Sequence, residues 1–249
     1  NRPFQMDDFG FLIGPILNSA GRISDPNVVI ELLTNQNSLQ KKKLIKKLFL
    51  MNEKRKQIQN NSINQINFDK INNSSDNIII EYKIGFNEGI IGIIASKLKD
   101  IFEKPCIILT KSGNIFKGSA RSTFFFNIGK YIKQAIDLNI LLNGGGHNMA
   151  AGFSISKNNI SIFKDFIEKK YLENNLIFKK NFISKISLNA INNPFYDDLK
   201  KIGPFGAKNE EPIFLIENVK IINPKILLNK YISFFVKTKS GKLISAISF

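Results

Sequence analysis

The sequence predicts an α/β domain, preceded by a long helix and followed by a small all-β barrel. Three observations predict it. Residues 38–71 contain neither proline nor glycine, and their apolar positions recur at helical spacing. From residue 77 to 172 strand-like and helix-like patterns alternate, which argues for a largely parallel sheet with helices packed on it. Beyond residue 182 short strand patterns follow one another through turn-rich connections, as in a small barrel or sandwich, an OB-like barrel being one option.

The elements follow in order. Residues 13–22, Ile-Gly-Pro-Ile-Leu-Asn-Ser-Ala-Gly-Arg, read either as a loop whose Asn18 and Arg22 offer a polar fork to a phosphate or as a helix stop at Gly21 with a solvent-facing Arg22. Ser24, Asp25 and Pro26 then form an N-cap and first-turn proline leading into a helix over 28–33. In the long helix the apolar series is Leu39, Leu44, Ile45, Leu48, Met51, Ile58, Ile63 and Ile66. Lysines crowd its first half, chiefly as a solvated face, and a helix of this length is a candidate spacer between two domains. A polar loop over 72–76 precedes a strand (77–82), a helix (88–102), two strands (106–110 and 115–120), a helix (127–137), a glycine-rich turn, a strand (152–155) and a helix (160–172). Within 88–102, Gly89, Gly92 and Ser96 recur on one face. Glycine costs about 1 kcal/mol against alanine in a helix, so a close backbone approach is expected there, with a ligand site at the helix start as the sharper alternative. In the last region strands over 182–188, 213–222, 231–237 and 242–249 surround a helix over 194–202. Phe205, Phe214, Tyr231, Phe234 and Phe235 are available for stacking, although aromatics at strand spacing are chiefly core.

Length and composition bound the function. With 249 residues, 43% of them hydrophobic, the chain has the apolar surface for one large domain or two smaller ones. A formal charge of +16 favours a polyanionic partner, nucleic acid ahead of an acidic membrane surface. The abundance of Lys, Asn, Ile and Phe, which AT-rich codons alone would produce, weakens that inference without reversing it. The single cysteine, Cys106, excludes an internal disulfide framework and a cysteine-rich zinc site, and reads as a buried strand residue. No apolar run approaches the roughly 18 to 20 residues of a membrane span, and there is no signal-peptide pattern at the start. A cytoplasmic protein without a membrane partner is expected. The chain opens without methionine and closes on a strand pattern, so both ends are expected to lie inside a longer protein.

The segment with the most chemical promise is Gly144-Gly145-Gly146-His147-Asn148-Met149-Ala150-Ala151-Gly152, which holds the only histidine. Adjacent glycines allow positive φ and let backbone N–H groups approach an anion; the plainer reading is a flexible turn into a small-residue strand. A second phosphate-like element, Gly118-Ser119-Ala120-Arg121-Ser122, lies one helix upstream, so the two are expected to meet across a βαβ crossover.

Several stretches taken together resemble the RecJ family of single-stranded-DNA-specific exonucleases in the DHH phosphoesterase superfamily. They are residues 14–22, 52–56 (Asn-Glu-Lys-Arg-Lys), 85–96, 118–122, 144–152 and 204–212 (Pro-Phe-Gly-Ala-Lys-Asn-Glu-Glu-Pro), in the family's order. The glycine-histidine element alone fits any DHHA1-containing protein; the segments 14–22 and 204–212 narrow the likeness. It implies a DHHA1-type α/β domain with a mixed sheet over 77–175, a remnant of the segment following the DHH domain over 1–37, a connecting helix over 38–76, and an OB-like domain, incomplete at its end, over 176–249. It further implies a 5′-to-3′ exonuclease using Mn2+ or Mg2+, a single-stranded DNA substrate, and a single-strand-binding protein as partner; the oligomeric state is not given by the sequence, a monomer being favoured. By resemblance Ser119 and Arg121 bind the 5′-phosphate, Gly144, Gly145, Gly146 and His147 face the scissile phosphate, and Arg22, Asn52 and Arg55 line the cleft entry. The Asp-His-His motif of the metal-binding domain is absent, and the acids show no Asp-x-Asp pairing. No metal ligand or catalytic residue is therefore expected here, His147 being at most an accessory, and the chain alone is expected not to cut DNA. Where the family often has Trp-His this chain has Phe86-Asn87, which puts a phosphate role at position 87 in doubt. Two other readings stay open: a stand-alone nucleic-acid-binding module, and a DHHA1 phosphodiesterase acting on short oligonucleotides or cyclic dinucleotides.

Overall fold

A computed structural model of the chain describes residue 4 and residues 6–174, 182–206, 209–228, 231–237, 241 and 243–248. It divides into two units, Asn1–Phe178 and Lys179–Phe249.

The first unit begins with a π-helical turn, Asp8–Ile13, that runs directly into helix α1, Gly14–Ile23. The expectation of a loop here is corrected. Pro15 sits in the first turn, where its missing N–H costs nothing, and Ser19 and Ala20 are fully buried, so the small residues serve helix packing. Helix α2 spans Asn27–Thr34. Helix α3, Ser38–Asn64, starts at Asn37, whose side chain accepts hydrogen bonds from the N–H groups of Leu39 (2.9 Å) and Gln40 (3.2 Å). It ends short of the expected residue 71 because Asn67 caps a separate helix, α4 (Phe68–Asn72), accepting from Lys70 N at 2.9 Å. Leu44 and Leu48 of α3 pack with Ala20 and Val28, while Ile63 reaches a second core. The long helix thus ties two cores of one unit together instead of spacing two domains.

A five-stranded sheet follows in the order β1-β2-β3-β5-β4, with β1 Ile79–Tyr82, β2 Cys106–Ser112, β3 Ile115–Arg121, β4 Asn143–His147 and β5 Ala150–Ile155. Only β1 and β2 are parallel, joined through helix α5, Glu88–Phe102. The largely parallel sheet is corrected to a mixed one. The hairpin at Gly113, which takes φ +60°, turns β2 back into β3, and Asn148-Met149 turns β4 into β5; both tight turns admit only antiparallel neighbours. Helix α6, Ile128–Asp137, carries the chain from β3 to the far edge, so β5 is inserted between β3 and β4. Helix α7 is Ile160–Glu173.

The sheet has two different faces. Ile107, Leu109, Phe116, Ala120, Phe153 and Ile155 pack against α6 and α7 through Ile128, Ile132, Phe163 and Ile167. On the other face Ile79, Cys106 and Ile108 pack under α5 through Ile90, Ile91, Ile94 and Leu98. Burial pushes the Cys106 thiol pKa up, as befits an inert core residue. Over β5 and β4 this second face is open.

The second unit holds a parallel pair, β6 (Ser184–Lys185) with β7 (Phe214–Leu215), helix α8 (Asn193–Lys201), and an antiparallel sheet β10-β9-β8 from Leu243–Ser248, Tyr231–Lys237 and Lys220–Leu227. Asn192 caps α8 by accepting from Phe195 N at 2.9 Å. The strand expected over 182–188 shrinks to β6, and a 3-10 turn at Leu188–Ala190 replaces its end. That expected over 213–222 splits because Asn218 takes a left-handed conformation, φ 57°. A register shift between Ile222 and Lys225 bends β8, as corner strands of OB-like barrels are bent. The described strands form part of such a barrel. Ala207 and Lys208 of the turn-rich segment, and Lys242 and Phe249 of the last expected strand, lie outside the described residues.

Candidate nucleic-acid interface

Three arginines from three elements meet beside α5. Arg22 from the last turn of α1, Arg55 from the middle of α3 and Arg121 from the end of β3 line one open cleft of about 470 Å³, with Asn18 and with Gly92, Ile93 and Ser96 of α5. Among the described residues no carboxylate lines it. Arg121 Nη1 donates to the Ala120 carbonyl at 2.8 Å and to Ser119 Oγ at 3.3 Å, which aims the fork along the strand. Arg22 Nη1 donates to the Gly89 carbonyl at 3.0 Å. Asn52 is buried and faces Arg55 rather than the cleft: its Oδ1 accepts from both Nε (3.1 Å) and Nη2 (2.9 Å), while Gln59 Oε1 accepts from Nη1 at 2.8 Å.

The electrostatics follow from that geometry. Burial first, and the Arg22 charge second, push the guanidinium pKa values of both Arg55 and Arg121 below their usual range. Like charges held together in a partly dry cleft repel, and an anion relieves both the repulsion and the desolvation. A phosphate group is the natural complement of several guanidinium forks.

The small-residue face of α5 explains itself here. A Cβ at Gly89 would run into the Arg22 carbonyl, and one at Gly92 would come within 2.9 Å of Ser119 Oγ and 3.0 Å of Arg121 Nη2. Both glycines exist so that the arginine elements approach the helix. Asn87 accepts from Gly89 N at 2.9 Å and so starts α5, and Phe86 is buried with its carbonyl accepting from Thr110 Oγ1 at 2.8 Å. Position 87 is thus a helix cap, and Phe86 is core.

The glycine tract is an edge strand, not the expected turn, and none of Gly144, Gly145 and Gly146 takes positive φ. No cradle of left-handed backbone forms. The register is what brings the two motifs together: Ser119 and Gly145 both pair with Gly152, and Arg121 and His147 both pair with Ala150. Paired residues share a face, so Ser119, Arg121, Gly145 and His147 lie on the open side of the sheet, with His147 roughly 10 Å from Arg121, two spacings of about 4.8 Å. His147 is exposed, and its Nδ1 accepts a long hydrogen bond, 3.4 Å, from Met149 N. A second cleft of about 630 Å³ runs over this face, floored by Gly145, Gly152 and Ser119, with Glu88 and Lys117 at its rim. The Lys117 ammonium, 2.8 Å away, holds the Glu88 carboxyl below the usual carboxylate range.

The glycines of the tract divide by face. A Cβ at Gly145 would meet nothing within 4 Å, whereas one at Gly144 would lie 2.7 Å from Phe153 Cβ and one at Gly146 would run into Ala150 and Ala151. Gly146→Ala is therefore expected to cost about 1–3 kcal/mol as overpacking. Gly145→Ala should stay within about 0.5 kcal/mol of the parent. Thermal melts of the two variants check this, and equal losses would contradict the division.

Among the described residues no group of three or more His, Cys, Asp or Glu is placed to hold a metal ion. The donor set near the cleft is cationic and amide, which does not fit Mn2+ or Mg2+; both require clustered oxygen ligands. In a separate cavity of about 80 Å³ near Asp76, Lys164 Nζ pairs with Asp76 Oδ2 at 2.9 Å. No helix among the described residues is long and apolar enough to cross a membrane. Two residues at the site carry little sequence signal: Gln59 is found only from its position one turn beyond Arg55, and Phe11, on the cleft wall, by nothing in the pattern.

Comparison with known proteins adds an independent line. A DHHA1 domain model matches residues 75–173 and a RecJ OB domain model matches residues 184–249. The single-stranded-DNA-specific exonuclease RecJ of Bacillus subtilis is 28% identical over 245 residues, 94% of this chain and 31% of that protein. RecJ of Escherichia coli is 26% identical, covering 97% of this chain and 44% of that protein. The crystal structure of RecJ in complex with Mg2+ from Thermus thermophilus matches 96% of this chain and 37% of its own, with a TM-score of 0.74 at 21% identity. This chain thus spans less than half the length of these relatives.

Proposed function

From the chain's standing as the C-terminal portion of a RecJ-type protein, a DHHA1 domain followed by an OB domain, we propose that it captures the 5′-phosphate of single-stranded DNA. Arg22, Arg55 and Arg121 bind the terminal phosphate, Ser119 Oγ adds a hydrogen bond, and Asn52 holds Arg55 in place. The strand then crosses the glycine floor of Gly145 and Gly152 past His147, and the OB unit, taken by itself, suits single strands by its basic and aromatic side chains. The single observation that carries this reading is the convergence of three guanidiniums in a cleft that, among the described residues, no acid lines. A terminal monoester carries about one more negative charge than a backbone diester, and so gains most from such a cleft.

In a complete RecJ-type enzyme Mn2+ or Mg2+ would supply the hydrolytic chemistry, and the clustered carboxylates that hold such ions are assigned outside this chain. The 5′-to-3′ polarity then follows from a site that accepts a chain end and not a chain interior.

Fluorescence anisotropy with otherwise identical single strands tests the reading. The 5′-phosphorylated strand is expected to bind at least about 10-fold more tightly than the 5′-hydroxyl strand. Equal affinity would sink the assignment, and manganese-dependent nuclease activity in residues 1–249 would overturn the division of labour.

A further inference from the structure

The arginine cleft is larger than a phosphate needs. Its volume of about 470 Å³ falls within the roughly 300–1,000 Å³ of small-ligand sites. Besides the arginines it is lined by Gly10, Phe11 and Pro15 from the π-helical turn and the start of α1. Phe11 borders the cleft and is 82% exposed. The neighbouring Phe9 is engaged with Phe4, their ring centroids 6.1 Å apart.

Guanidinium groups and an exposed aromatic ring in one cleft match the two ends of a nucleotide. We propose that Phe11 is the stacking platform for the terminal nucleobase of the captured strand, a role that rests on the reading of the arginines as the 5′-phosphate site. Because every base offers a π face, the platform requires a base without choosing which one. The π-helical geometry of Asp8–Ile13 is consistent with such a use, since single π turns concentrate at functional sites. The cleft thus recognises a whole 5′-nucleotide: the arginines read the end, and Phe11 reads the presence of a base.

Four single strands test this with the chain as it stands: 5′-phosphate or 5′-hydroxyl, each with either a normal or an abasic terminal residue. With the parent protein, removing the terminal base from the 5′-phosphorylated strand is expected to weaken binding roughly 5- to 100-fold. Phe11→Leu keeps the apolar bulk and, being at an exposed position, the fold; it should bind base-bearing and abasic strands alike while keeping its preference for the 5′-phosphate. Phe11→Trp should enlarge the base effect. Indifference of the parent to the terminal base, or an undiminished base effect in Phe11→Leu, overturns the proposal while leaving the phosphate site standing. A base effect that depends on Phe11 without any phosphate preference overturns the phosphate reading and leaves the platform.

Discussion

Arg121→Ala is expected to remove most of the preference for a 5′-phosphate. The loss should be roughly 10- to 100-fold in affinity, corresponding to the about 1.5–3 kcal/mol of hydrogen bonds to a charged group. The slope of log affinity against log salt should fall by about 0.7, the single-strand value for one phosphate contact. Stability should move the other way or not at all. Arg121 in the free protein is half-buried, repelled by Arg22, and bonded, among the described residues, to its own strand, so its removal relieves a cost. A melting temperature that falls together with an unchanged salt slope would make Arg121 a structural residue. Arg121→Lys is expected to behave more like the alanine variant than like the parent, because a point charge does not reproduce the fork.

The second large effect separates two glycines three residues apart on α5. Gly89→Ala drives a methyl group into the Arg22 backbone, which moves only if α1 moves. Such overpacking costs about 1–3 kcal/mol and occasionally more, and the melting temperature should drop by roughly 2–4 °C for each. Gly92→Ala presses instead on the ends of Ser119 and Arg121, 2.9 and 3.0 Å away, which are free to swing. Helix propensity gains up to about 1 kcal/mol there, so stability should hold or rise while 5′-phosphate affinity falls. Melts paired with anisotropy decide this. Should Gly92→Ala lose stability and keep its affinity, the account of α5 as the back wall of the cleft is wrong.

Legibility in the sequence followed the range of the forces involved. The helix over 88–102 was readable to the residue, because Asn87 caps it and its apolar spacing is set locally. The direction of the strands was not readable. It depends on whether Gly113 closes a tight turn, and Ser-Gly-Asn is equally at home in a longer loop. The glycine tract misled for a physical reason: glycine has no strand preference of its own, and β4 exists only because β5 pairs with it and Gly129 of α6 packs closely on the His147 backbone. Ser119 and Arg121 stood out as a motif, and Arg22, Asn52 and Arg55 through family resemblance. That Arg22, Arg55 and Arg121 meet could not be read, since 33 and 66 positions separate successive members and only the tertiary fold brings them together.

The 27-residue α3 gives that meeting a mechanical meaning. It is about 40 Å long, rooted at one end among Ala20, Val28, Leu44 and Leu48 and at the other in the core beneath α5, with Arg55 between. Two of the arginines therefore ride on the helical cluster and the third on the sheet, and the cleft lies across the seam. An anion bound there acts as a rivet between the two cores. If the cleft holds a 5′-phosphate as proposed, a substitution at either root of α3, far from the arginines, is expected to tilt the shaft and change the affinity for that phosphate.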